Sequence, residues 1–228
     1  MSQRQQVVEA VADRIASLRA AGVIFVAIDG VDGAGKSIFG DELAGALRAR
    51  GRPVIRASVD SFHNTRAIRY RRGHQSPDGF FLDSFDYPGL RQALFDPLRT
   101  AAPYRTKIHD LVSDEMLAEP PQCAAPDSIL VFDGIFLHRP ELREYWECSI
   151  FLSVDLTVSV ARCAERDRTS PDVEAAENRR YVEAQRRYLR ECAPSRHATI
   201  TIDNNDLAAP RIVIDRATGE SVEGSVRP

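Results

Sequence analysis

A short glycine-rich segment carries the residue types that bind phosphate groups. Residues 30–37 read Gly-Val-Asp-Gly-Ala-Gly-Lys-Ser and fit the pattern G-x-x-x-x-G-K-S/T, between a strand-like and a helix-like stretch. Glycines let backbone N–H groups turn toward phosphate oxygens, and the start of a helix adds partial positive charge. We expect the Lys36 side chain to reach the β- and γ-phosphates and the Ser37 hydroxyl to ligate Mg²⁺. This phosphate loop predicts binding of ATP or GTP, with Mg²⁺, through Gly30, Asp32, Gly33, Ala34, Gly35, Lys36, Ser37 and Ile38.

Three aspartates, Asp29, Asp60 and Asp133, end the first three predicted buried strands. Ligands of parallel sheets bind beyond the carboxyl ends of the strands, so we expect all three aspartates to face one crevice. Asp60 is a candidate catalytic base that takes the proton of an acceptor hydroxyl. The alternative for Asp60 is a helix-capping or turn residue.

The sequence favours phosphoryl transfer over GTP-dependent switching and over ATP hydrolysis. GTPases read guanine with an Asn-Lys-x-Asp loop, and the two lysines of this chain, Lys36 and Lys107, follow glycine and threonine. Motor-type ATPases carry a water-activating glutamate after the third-strand aspartate, where this chain has Gly134. We therefore expect an ATP-dependent transferase.

An arginine-rich stretch follows the fourth predicted strand. Phosphoryl transfer needs positive charge on the transferred group and exclusion of water. Arg162 and Arg166 lie one helical turn apart on one face, so we expect them to close over the phosphates as catalytic residues. Most of the other arginines of this stretch are expected to form a solvated face.

Strand-like and helix-like segments alternate and must position these residues. The predicted strands are 23–28, 54–59, 129–132, 149–154 and 199–202; the predicted helices are 3–20, 36–50, 90–98, 140–146, 157–166 and 174–191; residues 104–117 read as a hairpin. This order predicts an α/β fold, a three-layer sandwich of the P-loop NTPase type, with a five-stranded, mainly parallel sheet and helices on both faces. We expect one domain over 1–217, with an acceptor-binding insertion at about 61–118, a lid at about 162–190 and a flexible tail at 218–228.

Composition excludes several classes of partner. The chain has 228 residues and a net charge of −3, which does not favour a nucleic-acid binder. No apolar run is long enough for a membrane span, and the polar N-terminus lacks a signal-peptide core. We expect a cytoplasmic protein whose partner is a small-molecule acceptor, with neither nucleic acid nor membrane, and with a homo-oligomer left open.

From about residue 23 to 205 the chain resembles the uridine kinase and phosphoribulokinase group of P-loop kinases. The segments that carry the resemblance are the phosphate loop, Asp-Ser-Phe-His at 60–63, Phe-Asp-Tyr-Pro at 85–88, Tyr104 with His109, Phe-Asp-Gly-Ile at 132–135, the arginine segment at 162–167 and the closing stretch 180–205. The resemblance implies that Asp60 acts on the 5′-hydroxyl of a nucleoside. It also implies that His63 lies at the acceptor, that Asp86 holds ribose hydroxyls, that Tyr104 and His109 contact the base, that Asp133 assists Mg²⁺ and that Gln185 belongs to the lid.

Alternatives remain for these roles. Tyr104 reads equally as a packed hairpin aromatic, His109 as a surface histidine and Asp86 as a turn residue. The chain departs from uridine kinases at Asp32–Ala34, where those enzymes carry Ser-Gly-Ser, and at Cys163, where they carry arginine. Four additional arginines, Arg66, Arg69, Arg71 and Arg72, form either a solvated loop or a grip on an acceptor that already carries an acid group.

The leading hypothesis is an ATP- and Mg²⁺-dependent kinase of a small-molecule hydroxyl, the 5′-hydroxyl of uridine or cytidine first. A kinase for another small alcohol or for a phosphorylated or acidic acceptor comes second. A nucleoside monophosphate kinase follows, and a non-enzymatic ATP-binding regulatory protein is the competitor from another class.

Overall fold

The computed structural model describes residues 1–19 and 22–216 and the backbone of 220–221. Within these residues the strands are β1 (Ile24–Gly30), β2 (Val54–Ser58), β3 (His109–Asp110), β4 (Glu115–Met116), β5 (Ile129–Gly134), β6 (Cys148–Ser153), β7 (Ile200–Asp203), β8 (Arg211–Asp215) and β9 (Glu220–Ser221). The α-helices are α1 (Gln3–Ser17), α2 (Lys36–Ala49), α3 (Arg66–Arg69), α4 (Pro77–Asp83), α5 (Tyr87–Leu90), α6 (Asp96–Arg99), α7 (Leu156–Asp167), α8 (Arg179–Cys192) and α9 (Pro194–His197). A π-helical stretch, Arg91–Phe95, joins α5 to α6, and 3₁₀ turns cover Val59–Phe62 and Arg143–Tyr145.

The main sheet has the strand order β2-β5-β1-β6-β7-β8-β9. Its first five strands are parallel, which confirms the predicted α/β fold and all five predicted strands. Two antiparallel strands, β8 and β9, extend the sheet beyond the prediction. They follow the last predicted strand, where the sequence reads as mixed apolar and charged residues without a strong strand pattern.

Helices cover both faces of the sheet because the side chains of buried parallel strands alternate between two cores. In β1, Ile24, Val26 and Ile28 face one core, which α1 and α2 close. Phe25 and Ala27 face the other core, which the helices of residues 77–99 and α8 close. The three layers predicted from the sequence follow from this alternation.

Two predicted helices differ from the structure. Residues 140–146 form only the short 3₁₀ turn at Arg143–Tyr145, after which the Trp146 indole donates to the main chain of Leu137. The helix predicted at 174–191 begins at Arg179, because the Asn178 amide bonds to the carbonyls of Ser170 and Asp172 and holds the preceding segment as a loop.

The segment 61–118 lies between β2 and β5 and contains short helices and the β3–β4 hairpin. The predicted hairpin at 104–117 is confirmed by the antiparallel pairing of His109 with Met116. An antiparallel bridge between His63 and Phe85 fastens the start of this insertion to its middle. The insertion therefore stands beside the carboxyl end of β2.

Among the described residues, no helix has the length and apolar character needed to cross a membrane. The predicted tail, 218–228, lies outside the described residues except for the backbone of 220–221.

Candidate functional site

The phosphate loop connects β1 to α2 at the carboxyl edge of the sheet. Gly33 and Gly35 have φ values of 67° and 84°, the left-handed region that glycine adopts without strain. A Cβ at Gly33 would also lie 2.6 Å from the Ser159 carbonyl oxygen of α7. The loop is thus a tight backbone cradle at the start of a helix, the arrangement that binds phosphate.

Lys36 and Ser37 open α2 beneath this cradle. The Lys36 ammonium donates to the Val31 carbonyl at 2.8 Å, so the side chain folds over the loop. The Ser37 hydroxyl donates to Asp133 Oδ2 at 2.7 Å, and Arg56 donates to Asp133 Oδ1 at 3.0 Å. A hydroxyl and a carboxylate oxygen are hard ligands of the kind Mg²⁺ takes, alongside waters and substrate phosphates. These residues fit Mg²⁺ and a nucleoside triphosphate.

The described residues contain no cluster of three or more histidine, cysteine or carboxylate side chains arranged for a metal. Mg²⁺ in phosphotransferases needs only one or two protein ligands, so this fits a site completed by the substrate.

Asp60 lies in the 3₁₀ turn that follows β2, next to β5, whose Asp133 pairs with Ser58. Its side chain lines a cavity of about 450 Å³ together with the phosphate loop, Asp133, Arg162 and Arg166. Asp60 as a residue is exposed to solvent, but the protein atoms around its carboxyl group displace part of the water that would stabilise its charge. This partial desolvation, with the nearby charge of Asp133, raises the pKa of Asp60, and Lys36 partly offsets the rise.

Gly134, directly after Asp133, has a steric role that the sequence did not suggest. A Cβ at this position would lie 2.3 Å from Val59 Cγ1. Glycine therefore lets the turn that carries Asp60 pack against the end of β5, which brings the two aspartates to one edge.

Two helices hold Asp32 of the phosphate loop. The Gln185 amide of α8 accepts from the Asp32 N–H at 2.9 Å and donates to Asp32 Oδ2 at 3.2 Å, while the Ser159 hydroxyl donates to the Asp32 carbonyl at 2.6 Å. Burial raises the pKa of Asp32, with Lys36 opposing the rise. Gln185, expected in the lid, thus fastens α8 to the loop.

The two predicted lid arginines both line the cavity but have different partners. Arg162 donates to the carbonyls of Gly33, Asn204 and Asn205, so its guanidinium joins the phosphate loop to the loop after β7. Arg166 is mostly exposed and pairs with the adjacent Asp167 at 2.7 Å. Three other arginines of this stretch, Arg186, Arg187 and Arg190, pair with carboxylates on the surface, as predicted for a solvated face.

The expectation that Asp29 faces the crevice is wrong. Alternation along β1 places Asp29 on the Phe25 face, and its side chain is fully buried. Asp29 accepts from the Tyr188 hydroxyl, from His138 Nδ1 at 2.5 Å and from the Gly30 N–H at 2.7 Å. His138 Nε2 in turn lies 3.0 Å from the Ser149 hydroxyl. Asp29 therefore anchors the base of the phosphate loop to α8.

Among the predicted acceptor residues, His63 lines a cavity, whereas Asp86, Tyr104 and His109 line neither the cavity at Asp60 nor the one at His63. His63 is buried beneath the Asp60 turn and lines a second cavity, while Asp86 accepts from the Gly89 N–H at 2.9 Å and caps α5. Tyr104 is 5% exposed and pairs through its main chain with Gln122, and His109 is 0% exposed. Tyr104 and His109 do not line the cavity at Asp60 or the one at His63.

His63 has a defined protonation pattern. Its Nδ1 lies 2.8 Å from the Asp60 carbonyl, which only accepts, so Nδ1 carries the proton. Burial lowers the pKa of His63 to about 4, and the positive charge of Arg69 adds to this effect. The ring is neutral at physiological pH, and Nε2 is left as a hydrogen-bond acceptor.

Sequence reasoning missed several residues of the site. Glu165, Ile135 and Leu207 line the cavity at Asp60, and Arg56 positions Asp133 from β2. An arginine in the middle of a buried strand is an unusual placement that would have drawn attention to Arg56. Nothing in the sequence pattern distinguishes Leu207 from an ordinary loop residue.

Comparison with known proteins agrees with this geometry. The model of the phosphoribulokinase / uridine kinase family matches residues 25–188. A solved structure of a possible uridine kinase from Bacillus stearothermophilus has a TM-score of 0.67 at 22% identity, covering 86% of this chain and 97% of that one. Phosphoribulokinase from Rhodobacter spheroides has a TM-score of 0.56 at 14% identity, covering 81% and 71%. At these identities the similarity concerns the fold. Comparison with curated sequences gives no match.

The fold and the site define a kinase of the P-loop class. The chain belongs to the phosphoribulokinase / uridine kinase family, whose model spans the segment from β1 to α8.

Proposed function

We propose that the protein transfers the γ-phosphate of ATP to a hydroxyl group of a small molecule, with Asp60 as the catalytic base. The observation that carries this proposal is the shared cavity of Asp60, the phosphate loop and Asp133. A protein that only binds ATP has no use for a carboxylate aimed at the transferred phosphate. A nucleoside monophosphate kinase, whose acceptor is itself a phosphate, needs no base there.

Each residue has a separate task in this proposal. The backbone N–H groups of the phosphate loop and Lys36 hold the phosphates, and Ser37 and Asp133 hold Mg²⁺, which when bound neutralises charge on the transferred group. Asp60, whose raised pKa makes it a better proton acceptor than an ordinary carboxylate, takes the hydroxyl proton as the oxygen attacks phosphorus. Arg166 lines the cavity and pairs with the adjacent Asp167 on the surface, so its guanidinium can turn toward the phosphates, whereas Arg162 holds the loop.

The acceptor has two candidate classes. The resemblance to uridine kinases favours the 5′-hydroxyl of uridine or cytidine, with Asp86, Tyr104 and His109 as its contacts. The burial of Tyr104 and His109 gives this class little geometric support. The arginines that line the cavity at His63 favour the second class, a small alcohol that carries an acid group.

The experiment is acceptor-dependent release of ADP. Purified protein is incubated with Mg-ATP and a panel of nucleosides, nucleoside monophosphates, sugars, sugar phosphates and hydroxy acids, and phosphorylated product is identified by mass spectrometry. The proposal expects stoichiometric ADP and phosphorylated alcohol with at least one acceptor. Product formed only from nucleoside monophosphates, or ADP release that no acceptor stimulates, contradicts it.

A further inference from the structure

A second cavity of about 360 Å³ lies beside the Asp60 turn and is rich in arginine. His63 forms one wall, and Arg66, Arg69 and Arg180 contribute three guanidinium groups, with Tyr70 and Tyr181 at the sides. Its volume is that of a pocket for a small metabolite. His63 joins it to the catalytic turn through the hydrogen bond to the Asp60 carbonyl.

The described residues that line this cavity include three arginines and no aspartate or glutamate. Arg180 is 4% exposed, and its guanidinium group donates to the main-chain carbonyls of Arg69, Gly73, His74 and Ser76. Among the described residues no carboxylate forms an ion pair with Arg180. A buried charge without a counter-charge is costly, and proteins keep one chiefly where a ligand supplies the opposite charge.

Arg69 adds a buried donor without a partner. It is 8% exposed, and its Nη2 shares Asp114 with the backbone N–H of Arg66. Within the described part of the chain, Arg69 Nε makes no hydrogen bond. Among the residues that the structure describes, the Arg66 guanidinium donates to the Val112 carbonyl and forms no ion pair. Asp114 therefore contacts Arg69 and the backbone of Arg66, and among the described residues it forms no ion pair with Arg180.

The neighbouring arginines are arranged differently. Arg71 and Arg72 both pair with the carboxylate of Asp83 and do not line the cavity. The insertion thus contains two kinds of arginine. Arg71 and Arg72 pair with Asp83, whereas Arg66 and Arg69 line the cavity. The arginines of the insertion that line the cavity, Arg66 and Arg69, are the ones that lie beside His63.

We propose that the cavity bounded by His63, Arg66, Arg69 and Arg180 binds an acid group, a phosphate or a carboxylate, of the hydroxyl-bearing acceptor. The inference rests on the proposed kinase function. The side chains of Arg66 and Arg69 bind the acid group, the buried Arg180 adds positive potential, and His63 Nε2 accepts a hydrogen bond from an acceptor hydroxyl. Asp60 lines the neighbouring cavity of the phosphate loop, so in this proposal the acid group and the phosphorylated hydroxyl occupy opposite ends of the acceptor.

The first test measures binding without turnover. The donor site is filled with Mg²⁺ and a non-hydrolysable ATP analogue, so that added anions do not occupy the phosphate loop. Inorganic phosphate and acetate are then titrated at constant ionic strength while the thermal midpoint is recorded. We expect a saturable stabilisation by at least one anion, with the apparent Kd raised roughly tenfold or more in Arg69→Met and in Arg66→Gln.

Arg71→Met is the matched control because it removes one guanidinium from the same insertion outside the cavity. Arg66 is exposed, so Arg66→Gln keeps the test decisive if Arg69→Met fails to fold. No saturable effect of either anion on the wild type, or equal effects in all three variants, would overturn the proposal.

The second test compares acceptors that differ only in the acid group. A pentulose 5-phosphate is compared with the free pentulose, and glycerate with glycerol; uridine is the neutral nucleoside. We expect a higher kcat/KM for the acidic member of at least one pair, and a raised KM for that acceptor, but not for ATP, in Arg66→Gln. Preference for uridine or for the neutral members would refute the acid site and leave the kinase function standing. If no acceptor releases ADP, the kinase function fails, and the binding test still decides the anion site.

Discussion

Replacing Asp60 by asparagine separates nucleotide binding from phosphoryl transfer. Asparagine keeps the size and polarity of the side chain but cannot take a proton. General-base catalysis contributes roughly 100- to 10,000-fold, which corresponds to about 2.7–5.4 kcal/mol of barrier. We expect the acceptor-dependent kcat of Asp60→Asn to fall within this range.

Binding of ATP should survive the same change. Partial desolvation and the charge of Asp133 raise the pKa of Asp60, so its ionised form is held at a cost in the folded protein. Removing the charge relieves repulsion with Asp133 and with the phosphates. The affinity for Mg-ATP and the thermal midpoint should therefore stay equal to the wild type or rise.

The assay couples ADP release to NADH oxidation and measures Mg-ATP binding separately by calorimetry. Asp127→Asn is the control, because Asp127 is an exposed aspartate that directly precedes Ser128 and β5, at the opposite edge of the sheet, and its φ of 57° suits asparagine. A kcat of Asp60→Asn within threefold of the wild type would refute the role of Asp60. A matching loss of ATP affinity would make Asp60 a donor-site residue instead.

Three further predictions concern the same site. Because the pKa of Asp60 is raised, kcat/KM for the acceptor should fall as the pH drops through a value above that of an ordinary aspartate; a profile of Asp60→Asn that keeps this acidic limb would contradict the assignment. Gly33→Ala forces alanine into the left-handed region, at a cost of about 1–2 kcal/mol, and brings its Cβ against the Ser159 carbonyl, so ATP affinity should fall roughly tenfold. The control is Gly45→Ala, which has open space around it; this change should keep ATP affinity and raise the midpoint of urea unfolding. Tyr188→Phe removes a donor from buried Asp29 and should lower the free energy of unfolding by about 1–3 kcal/mol in urea, whereas an equal loss in the exposed Tyr181→Phe would argue against a special role for the buried bond.

The elements with strong local patterns could be predicted from the sequence. The five parallel strands are continuous apolar runs, and the phosphate loop has a pattern that few other structures share. Asp60 and Asp133 were placed together correctly because both follow neighbouring strands of a parallel sheet. Asp29 also ends a strand but does not face the crevice, because its side chain points to the Phe25 face of the sheet.

Most features of the site that could not be predicted from the sequence depend on contacts between residues far apart in the chain. Gln185, Ser159 and Tyr188 hold the phosphate loop from helices more than 100 residues away, and no local pattern marks them. The difference between Arg69, which faces a cavity, and Arg71, which faces Asp83, depends on how the insertion folds back on α8. In sequence the two are nearly adjacent and identical in type.

Gly134 limits how this active site can change. Its Cβ position is already filled by Val59, so a glutamate that activates water, as in motor-type ATPases, does not fit after Asp133. A single substitution at residue 134 would push the Asp60 turn away from β5 before it could add a hydrolytic group. Conversion of this scaffold to an ATPase therefore requires a smaller residue at position 59 together with a glutamate at position 134, and we expect either single mutant to be a weakened kinase.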